Sequence, residues 1–441
     1  MAAHIAEVRA LQVLDSRGKP TLEAEVRLTD GSVGSAQVPS GASTGRHEAR
    51  ELRDGDGGGY AGQSVAAAVA SVNGPLASAL RGLPAGNQER IDRVMINLDG
   101  SADKSRFGAN AILGISCGHA RAAAASAGLP LWRALAGARQ AKIPLPIVNI
   151  LSGGMHAGRQ IEFQDFLAVP HGCTSIAESL EAVAAIHRSM REILARDGRA
   201  PSGVADEGGW GPRLDSNEQA LEYMVRAIAE AGYDPGNQVS IAIDVAATHF
   251  HREGEYHLAS EGRSLDAAGL VSLLERWARE FPIVAIEDPL AEDDWNGWRG
   301  ACRALGSRCA LVGDDLLATN PARLERAIES RAANAVLVKM NQIGTLTETL
   351  QVVDRALEAG FAAVVSARSG ETEDSFLADL AVAAGAGYIK IGSVTRSERL
   401  AKYNRLLRIE AGWEKAVPEG LAPLRPLRHD EKRGRVRVNN A

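Results

Sequence analysis

Three short apolar runs each end in a carboxylate: SIAID in Asp244, IVAIE in Glu287 and ALVGD in Asp314. If each run is a strand of one parallel α/β barrel, the three acids share the rim formed by the strands' carboxyl ends, where such folds build their active sites. Oxygen ligands with no Cys or His among them suit a hard cation, and Mg²⁺ is the expected ion. Two further runs bring lysines to the same rim, Lys339 after AVLV and Lys390 within YIKIG. Two neighbouring ammonium groups disfavour each other's proton, so a lysine here is expected to have a lowered pKa and to act as a base near neutral pH. Between them, Ala367-Arg368-Ser369-Gly370 passes from strand to helix. A guanidinium fork, a hydroxyl and backbone N–H groups at a helix start suit a phosphate. The loop VADEGGWGP carries Asp206 and Glu207 and would set a carboxylic acid opposite the lysines. A lysine removing a proton α to a carboxylate, a cation steadying the enolate and an acid protonating a leaving hydroxide would together dehydrate a hydroxy acid. Any one of these carboxylates alone reads as a helix N-cap or a solvated loop charge; recurrence at successive strand ends is what sets them apart.

Groups so placed need a repeated strand–helix unit, and the chain after about residue 138 supplies one. Apolar runs predict strands at Ile147–Leu151, Phe163–Val169, Ser240–Val245, Ile283–Glu287, Ala310–Asp314, Ala335–Lys339, Ala363–Ala367 and Tyr388–Gly392. Continuous apolar character is the mark of strands buried on both faces. Amphipathic spacing predicts helices between most of them, including Ser175–Leu194, Ser216–Ala231, Leu265–Glu280 and Thr345–Ala359. No helix separates the first two strands, so the barrel is expected to open irregularly. An open doubly wound sheet is the alternative, but no GxGxxG turn follows an early strand.

Residues 1–138 read as a smaller α+β domain. Ile5–Leu14, Thr21–Leu28 and Val33–Val38 form an antiparallel meander, with helices over Gln63–Leu80, Asn87–Asn97 and Gly108–Ala127. The glycine-rich stretch 39–62 reads as a lid or binding segment as readily as a plain surface loop. The barrel is assigned to 139–415 and an aperiodic tail to 416–441.

The 441 residues carry a net charge of −6, which gives no reason to expect nucleic acid or an anionic membrane as partner. Cys117, Cys173, Cys302 and Cys309 have neither zinc-like nor redox spacing and read as reduced thiols of a cytoplasmic protein. The N-terminal stretch has no signal-type apolar core, and no run approaches the roughly 18 apolar residues of a membrane span.

Over roughly Ile5 to Glu410 the chain resembles the enolase (phosphopyruvate hydratase) family, through SGASTG, GANAILG, GGMHAG, DEGG, IEDPLAEDDW, KMNQIGTLTET, RSGETEDSF and RSERLAKYN. The resemblance implies a Mg²⁺-dependent hydro-lyase that converts 2-phosphoglycerate to phosphoenolpyruvate. Lys339 would take the α-proton and Glu207 would help hydroxide leave. Asp244, Glu287 and Asp314 would bind the first Mg²⁺, and Ser40 with the substrate phosphate a second. Arg368 and Ser369 would hold the phosphate, Lys390 and the metal the substrate carboxylate, and His156 and Gln164 would complete the surroundings. The resemblance also implies a homodimer or a multiple of dimers.

The chain departs from the family pattern around the ligand. Ala367 stands where the family has His, Asp165 where it has Glu, and His249 where it usually has Glu; Ile391 to Thr395 replaces Thr-Gly-Ala-Pro-Ala. The loss of an imidazole at 367 would make room for a larger phosphorus-bearing group. A carboxyphosphonoenolpyruvate synthase, dehydrating 2-phosphonoformylglycerate in phosphonate or phosphinate biosynthesis, is therefore the second reading. A non-catalytic enolase-like binding protein is the third, and the retained lysines, acid and metal carboxylates argue against it.

Overall fold

The computed structural model describes residues 3–41 and 45–413. The tail assigned to 416–441 and the centre of the SGASTG motif, Ala42 to Thr44, lie outside the described residues.

Strands β1 (Ile5–Leu14), β2 (Pro20–Leu28) and β3 (Val33–Gln37) form the antiparallel meander, in the order β1-β2-β3. Helix Ala109–Ser126 covers it. The approach is so close that a Cβ on Gly34 would lie 2.3 Å from the backbone N of Ala122, so this contact depends on glycine. The helix expected over 63–80 begins at Ala66 and is interrupted by a π-helical turn, Val72–Leu76, containing Pro75. Proline has no N–H to give and its ring crowds the preceding turn, which accounts for the interruption.

His119 of the covering helix is fully buried, with one ring nitrogen, Nδ1, 2.8 Å from Gln88 Oε1. Burial disfavours the imidazolium and lowers its pKa from 6.5 to about 4. The unfolded chain therefore binds a proton below pH 6.5 that the folded chain refuses until about pH 4. We expect stability to fall through that window, by roughly 2–3 kcal/mol if this group acts alone. Denaturant titrations at pH 7 and pH 4.5 check this. An equal loss in His119→Gln would assign the acid sensitivity elsewhere.

The second unit is a closed barrel of eight strands: β4 (Leu145–Ser152), β5 (Asp165–Val169), β6 (Ser240–Asp244), and, after a small sheet of β7 (His251–Arg252), β8 (Glu255–Leu258) and β9 (Arg263–Leu265), β10 (Ile283–Glu287), β11 (Ala310–Gly313), β12 (Ala335–Val338), β13 (Ala362–Ser366) and β14 (Tyr388–Gly392). The small sheet β7–β9 had no counterpart in the sequence reading. Ser175, Ser216 and Thr345 prove to be N-caps, each accepting an N–H three residues on, so those helices start one residue later than their predicted bounds.

The barrel is not all-parallel. β5 pairs antiparallel with both β4 and β6, whereas the other barrel pairings are parallel. The short link between β4 and β5 explains this, since parallel neighbours need a long crossover. The reversal brings the first residue of β5, Asp165, to the rim that the other strands reach with their last residues; it is the register partner of Asp244.

Alternation then determines what the rim displays. Leu145, Ile147, Leu167, Ala242, Ala285, Val312, Leu337, Val364 and Tyr388 belong to one apolar cluster that plugs the barrel interior. Side chains two positions nearer the rim share that inward face. From those apolar residues the step leads to Asn149, Asp165, Asp244, Glu287, Asp314, Lys339, Ser366 and Lys390. The charged layer thus sits directly on the apolar plug. Among the described residues no helix is long and apolar enough to cross a membrane.

Candidate active site

A cleft at this rim is lined by Asp244, Asp314, Lys339, Lys390, Arg368, Ser369, His156, Gln164 and Glu207, and also by Glu48, Asp288, Asp315, His249 and Ala367. Most residues singled out in the sequence therefore meet in one place.

Asp244, Glu287 and Asp314 are linked through the two lysines. Lys390 Nζ donates to Asp244 Oδ2 at 2.9 Å and to Glu287 Oε2 at 2.7 Å, and Lys339 Nζ donates to Asp314 Oδ2. This corrects the expectation of lysines with lowered pKa. Burial does disfavour both ammoniums, but Asp314 outweighs it at Lys339, and Asp244 and Glu287 outweigh it at Lys390, so both are raised. The converse holds for Asp244 and Asp314, where burial opposes ionisation but the lysines keep the carboxyls below their usual range. Glu287 goes the other way: burial and the charge of Asp244 raise it well above the ordinary value despite Lys390.

The donor set fits a hard divalent cation. Asp244 and Glu287 are buried and Asp314 is partly buried, the donors are all oxygen, and Glu287 is a group that resists ionisation until more positive charge is supplied. A second acidic group is formed by Asp288, Asp314 and Asp315, with ligand atoms within 4.8 Å of one another. Asp288 has a left-handed backbone (φ 41°) and accepts the N–H groups of Asp314 (3.0 Å) and Asp315 (2.8 Å). It fixes the turn after β11. The only local sign of it was an acid between Glu287 and Pro289.

Across the cleft His156 links two acids. Its Nδ1 lies 3.0 Å from Asp165 Oδ2 and its Nε2 lies 3.9 Å from Glu207 Oε1. Burial disfavours the imidazolium, but the two carboxylates prevail and push it up to about 9. Glu207, expected as a carboxylic acid, is instead held ionised: burial opposes this, but His156, Arg399, Lys390 and Lys339 lower its pKa. The proton on this wall therefore resides on the imidazole. Asp165 Oδ1 accepts from Asn149 Nδ2 (2.6 Å) and Ser152 Oγ (2.9 Å). Neither partner was singled out, although Asn149 follows from inward parity on β4. Gln164 donates to Asp244 Oδ2 at 3.2 Å.

At the third wall Arg368 is buried and bound in a fork by Glu48 of the 39–62 stretch, at 2.9 and 3.3 Å, while Asn341 Oδ1 accepts from Nη1 at 2.9 Å. Glu48 was not foreseen; it lies 320 residues from Arg368 in sequence. Beneath the loop, buried Arg399 donates to the carbonyls of Arg368 (2.7 Å), Ser369 (2.7 Å) and Ile391 (3.0 Å). Ser40 is the residue that the family resemblance implies as a ligand of a second Mg²⁺. Its backbone pairs with Gly370 in both directions, but its hydroxyl donates to Glu51 and accepts from Arg53, each at 3.0 Å. It lines a separate cavity and is absent from the residues lining the catalytic cleft. The contacts with Glu51 and Arg53 decide where the hydroxyl points in this arrangement.

Comparisons with known proteins identify the family. Residues 5–135 match the family model described as "Enolase, N-terminal domain", and residues 140–420 match "Enolase, C-terminal TIM barrel domain". The chain is 50% identical over 421 residues to "Enolase 1" of Methylococcus capsulatus, covering 95% of this chain and 100% of that protein. It is 51% identical over 423 residues to "Enolase" of Rubrobacter xylanophilus, covering 96% and 98% respectively. With the meander, the barrel and both family domains matched along nearly its whole length, this chain belongs to the enolase family of hydro-lyases.

Proposed function

We propose that the protein dehydrates 2-phosphoglycerate to phosphoenolpyruvate, with Lys339 as the base and the Glu207–His156 pair as the acid side. The observation that carries this reading is the division of the cleft: carboxylates with lysines on one wall, an acid–imidazole pair on the second, and a buried arginine on the third. A substrate with a carboxylate, an α-proton, a β-hydroxyl and a phosphate matches those walls group for group. Asp244, Glu287 and Asp314 would hold Mg²⁺, the cation of this family. When bound, it neutralises the charge that builds on the substrate carboxylate as the α-proton leaves. Lys390 is placed to share that charge. Arg368 and Ser369 bind the phosphate, and Gln164 and Asp165 orient Asp244 and His156. The substrate is a small phosphorylated acid, and the family resemblance supports a homodimer.

Asp314 and Glu287 are the groups that raise Lys339, and both would be engaged if they held the cation. Burial, Arg368 and Lys390 would remain, and each lowers Lys339. The lysine would then be a base suited to neutral pH.

Ala367 favours a second reading, in which the phosphorus bears an added carboxylate. The residue is buried in the cleft wall next to Arg368 and offers no donor. Against it, Glu48 already places a carboxylate on Arg368. Both substrates should be tested on purified wild-type protein with Mg²⁺, following enol phosphate absorbance. We expect turnover of 2-phosphoglycerate that disappears in chelator and returns with Mg²⁺. Ala367→His, by restoring a charged hydrogen bond worth about 1.5–3 kcal/mol, should raise kcat/KM for it roughly tenfold to a hundredfold. Turnover of the carboxyphosphonate analogue alone would replace the first reading with the second. Full activity in metal-free protein would overturn both.

A further inference from the structure

His249 and Met155 line the catalytic cleft on one side and a second cavity, of about 190 Å³, on the other. That cavity lies between the loop that carries His156 and the small sheet β7–β9. Its apolar surface comes from Met155, Ile161 and Phe250. Its polar surface is cationic or donor-bearing: Arg159, Arg252, His249 and His257. Its one carboxylate, Glu162, is already engaged, accepting from Ser260 N (2.8 Å), Ser260 Oγ (2.7 Å) and Asn217 Nδ2 (2.9 Å). Other arginines are paired, as Arg276 is with Glu218 and Arg226 with Asp197. Among the described residues Arg159 and Arg252 take part in no ion pair; Arg159 contacts Met155 Sδ at 3.2 Å.

We propose that this cavity is a binding site for a small organic anion other than the substrate, with an apolar body against Met155, Ile161 and Phe250 and a phosphate or carboxylate head between Arg159 and Arg252. Guanidinium groups are the preferred partners of both head groups. The apolar surface with a few convergent polar groups is what ligand cavities share. His249 belongs to the same argument. The family usually has an acid at this position, which would repel the ligand, whereas an imidazole can donate to it. Because His249 and Met155 form the partition between the cavities, an occupant bears on the catalytic cleft without entering it.

The test uses phenyl phosphate, benzoate and neutral benzyl alcohol as probes, titrated calorimetrically into the full-length protein with Mg²⁺ present. Wild type is compared with Arg368→Gln, which weakens anion binding in the catalytic cleft, and with Arg159→Gln/Arg252→Gln. Both replaced residues of the double variant are exposed and lie outside the catalytic machinery, so its turnover should stay within about twofold of wild type. We expect at least one anionic probe to bind wild type and Arg368→Gln alike, and to bind the double variant at least about tenfold more weakly. Preference for phenyl phosphate over benzoate, or the reverse, identifies the head group. Benzyl alcohol should not distinguish the proteins. Equal binding of the anions by the double variant would overturn the proposal, as would their loss in Arg368→Gln alone, which would assign them to the catalytic cleft.

Discussion

Lys339→Ala and Lys339→Arg should both abolish exchange of the substrate α-proton with solvent deuterium, and with it turnover, by about 10²–10⁴-fold. The two variants fail for different reasons, which makes the pair informative. Alanine removes the amine and leaves partly buried Asp314 without the ammonium that now faces it. Loss of activity there could reflect a disturbed metal carboxylate as much as a lost base. Arginine preserves a positive charge and donors toward Asp314, but a guanidinium is not deprotonated in proteins. If Lys339 only neutralised Asp314, Lys339→Arg would retain most of the activity. The alternative base on this wall is Lys390, which bridges Asp244 and Glu287 and is held more firmly protonated by both. Deuterium exchange at the wild-type rate in Lys339→Arg would remove Lys339 from the role of base.

Glu207→Gln should separate the two halves of the reaction. Proton removal occurs at the lysine wall, so exchange should survive, while hydroxide departure should slow by about 10²–10⁴-fold. His156 bears on the same step. Its imidazolium persists up to about pH 9 because Asp165 and Glu207 outweigh the cost of burial. A group with a raised pKa stays protonated until pH climbs through that value, so elimination should fall off on the alkaline side near pH 9. Asp165→Asn removes one of the carboxylates that hold the proton, so the alkaline limb should move to lower pH while exchange is unaffected. Exchange and elimination lost together in Glu207→Gln would show that Glu207 supports proton removal instead. An alkaline limb unmoved by Asp165→Asn would take His156 out of the proton path.

Much of this site could be read locally. Barrel strands are covered on both faces, so each appears as an unbroken apolar run, and the charge that ends the run marks the rim. The two-residue repeat of a strand then determines which of those charges face inward, so Asp244, Glu287, Lys339 and Lys390 were all found. Serine and threonine N-caps set the helix starts within one residue because capping involves only the next turn. The reversed direction of β5, which brings Asp165 to the rim, depends on which strands it joins. A run of four apolar residues, Phe166 to Val169, reads the same in either direction.

What tertiary structure alone decided is the pairing of charges. Lys390 on Asp244 and Glu287, Lys339 on Asp314, and Glu48 on Arg368 join residues far apart in the chain. The expected mutual depression of the lysines was correct in sign, but a carboxylate in hydrogen-bond contact acts at shorter range than a second ammonium, and it prevails. The sequence by itself marked the charges that end the parallel strands, because periodicity and burial are local properties. It could not determine their protonation, because that depends on distances of a few ångströms between strands that only barrel closure brings together.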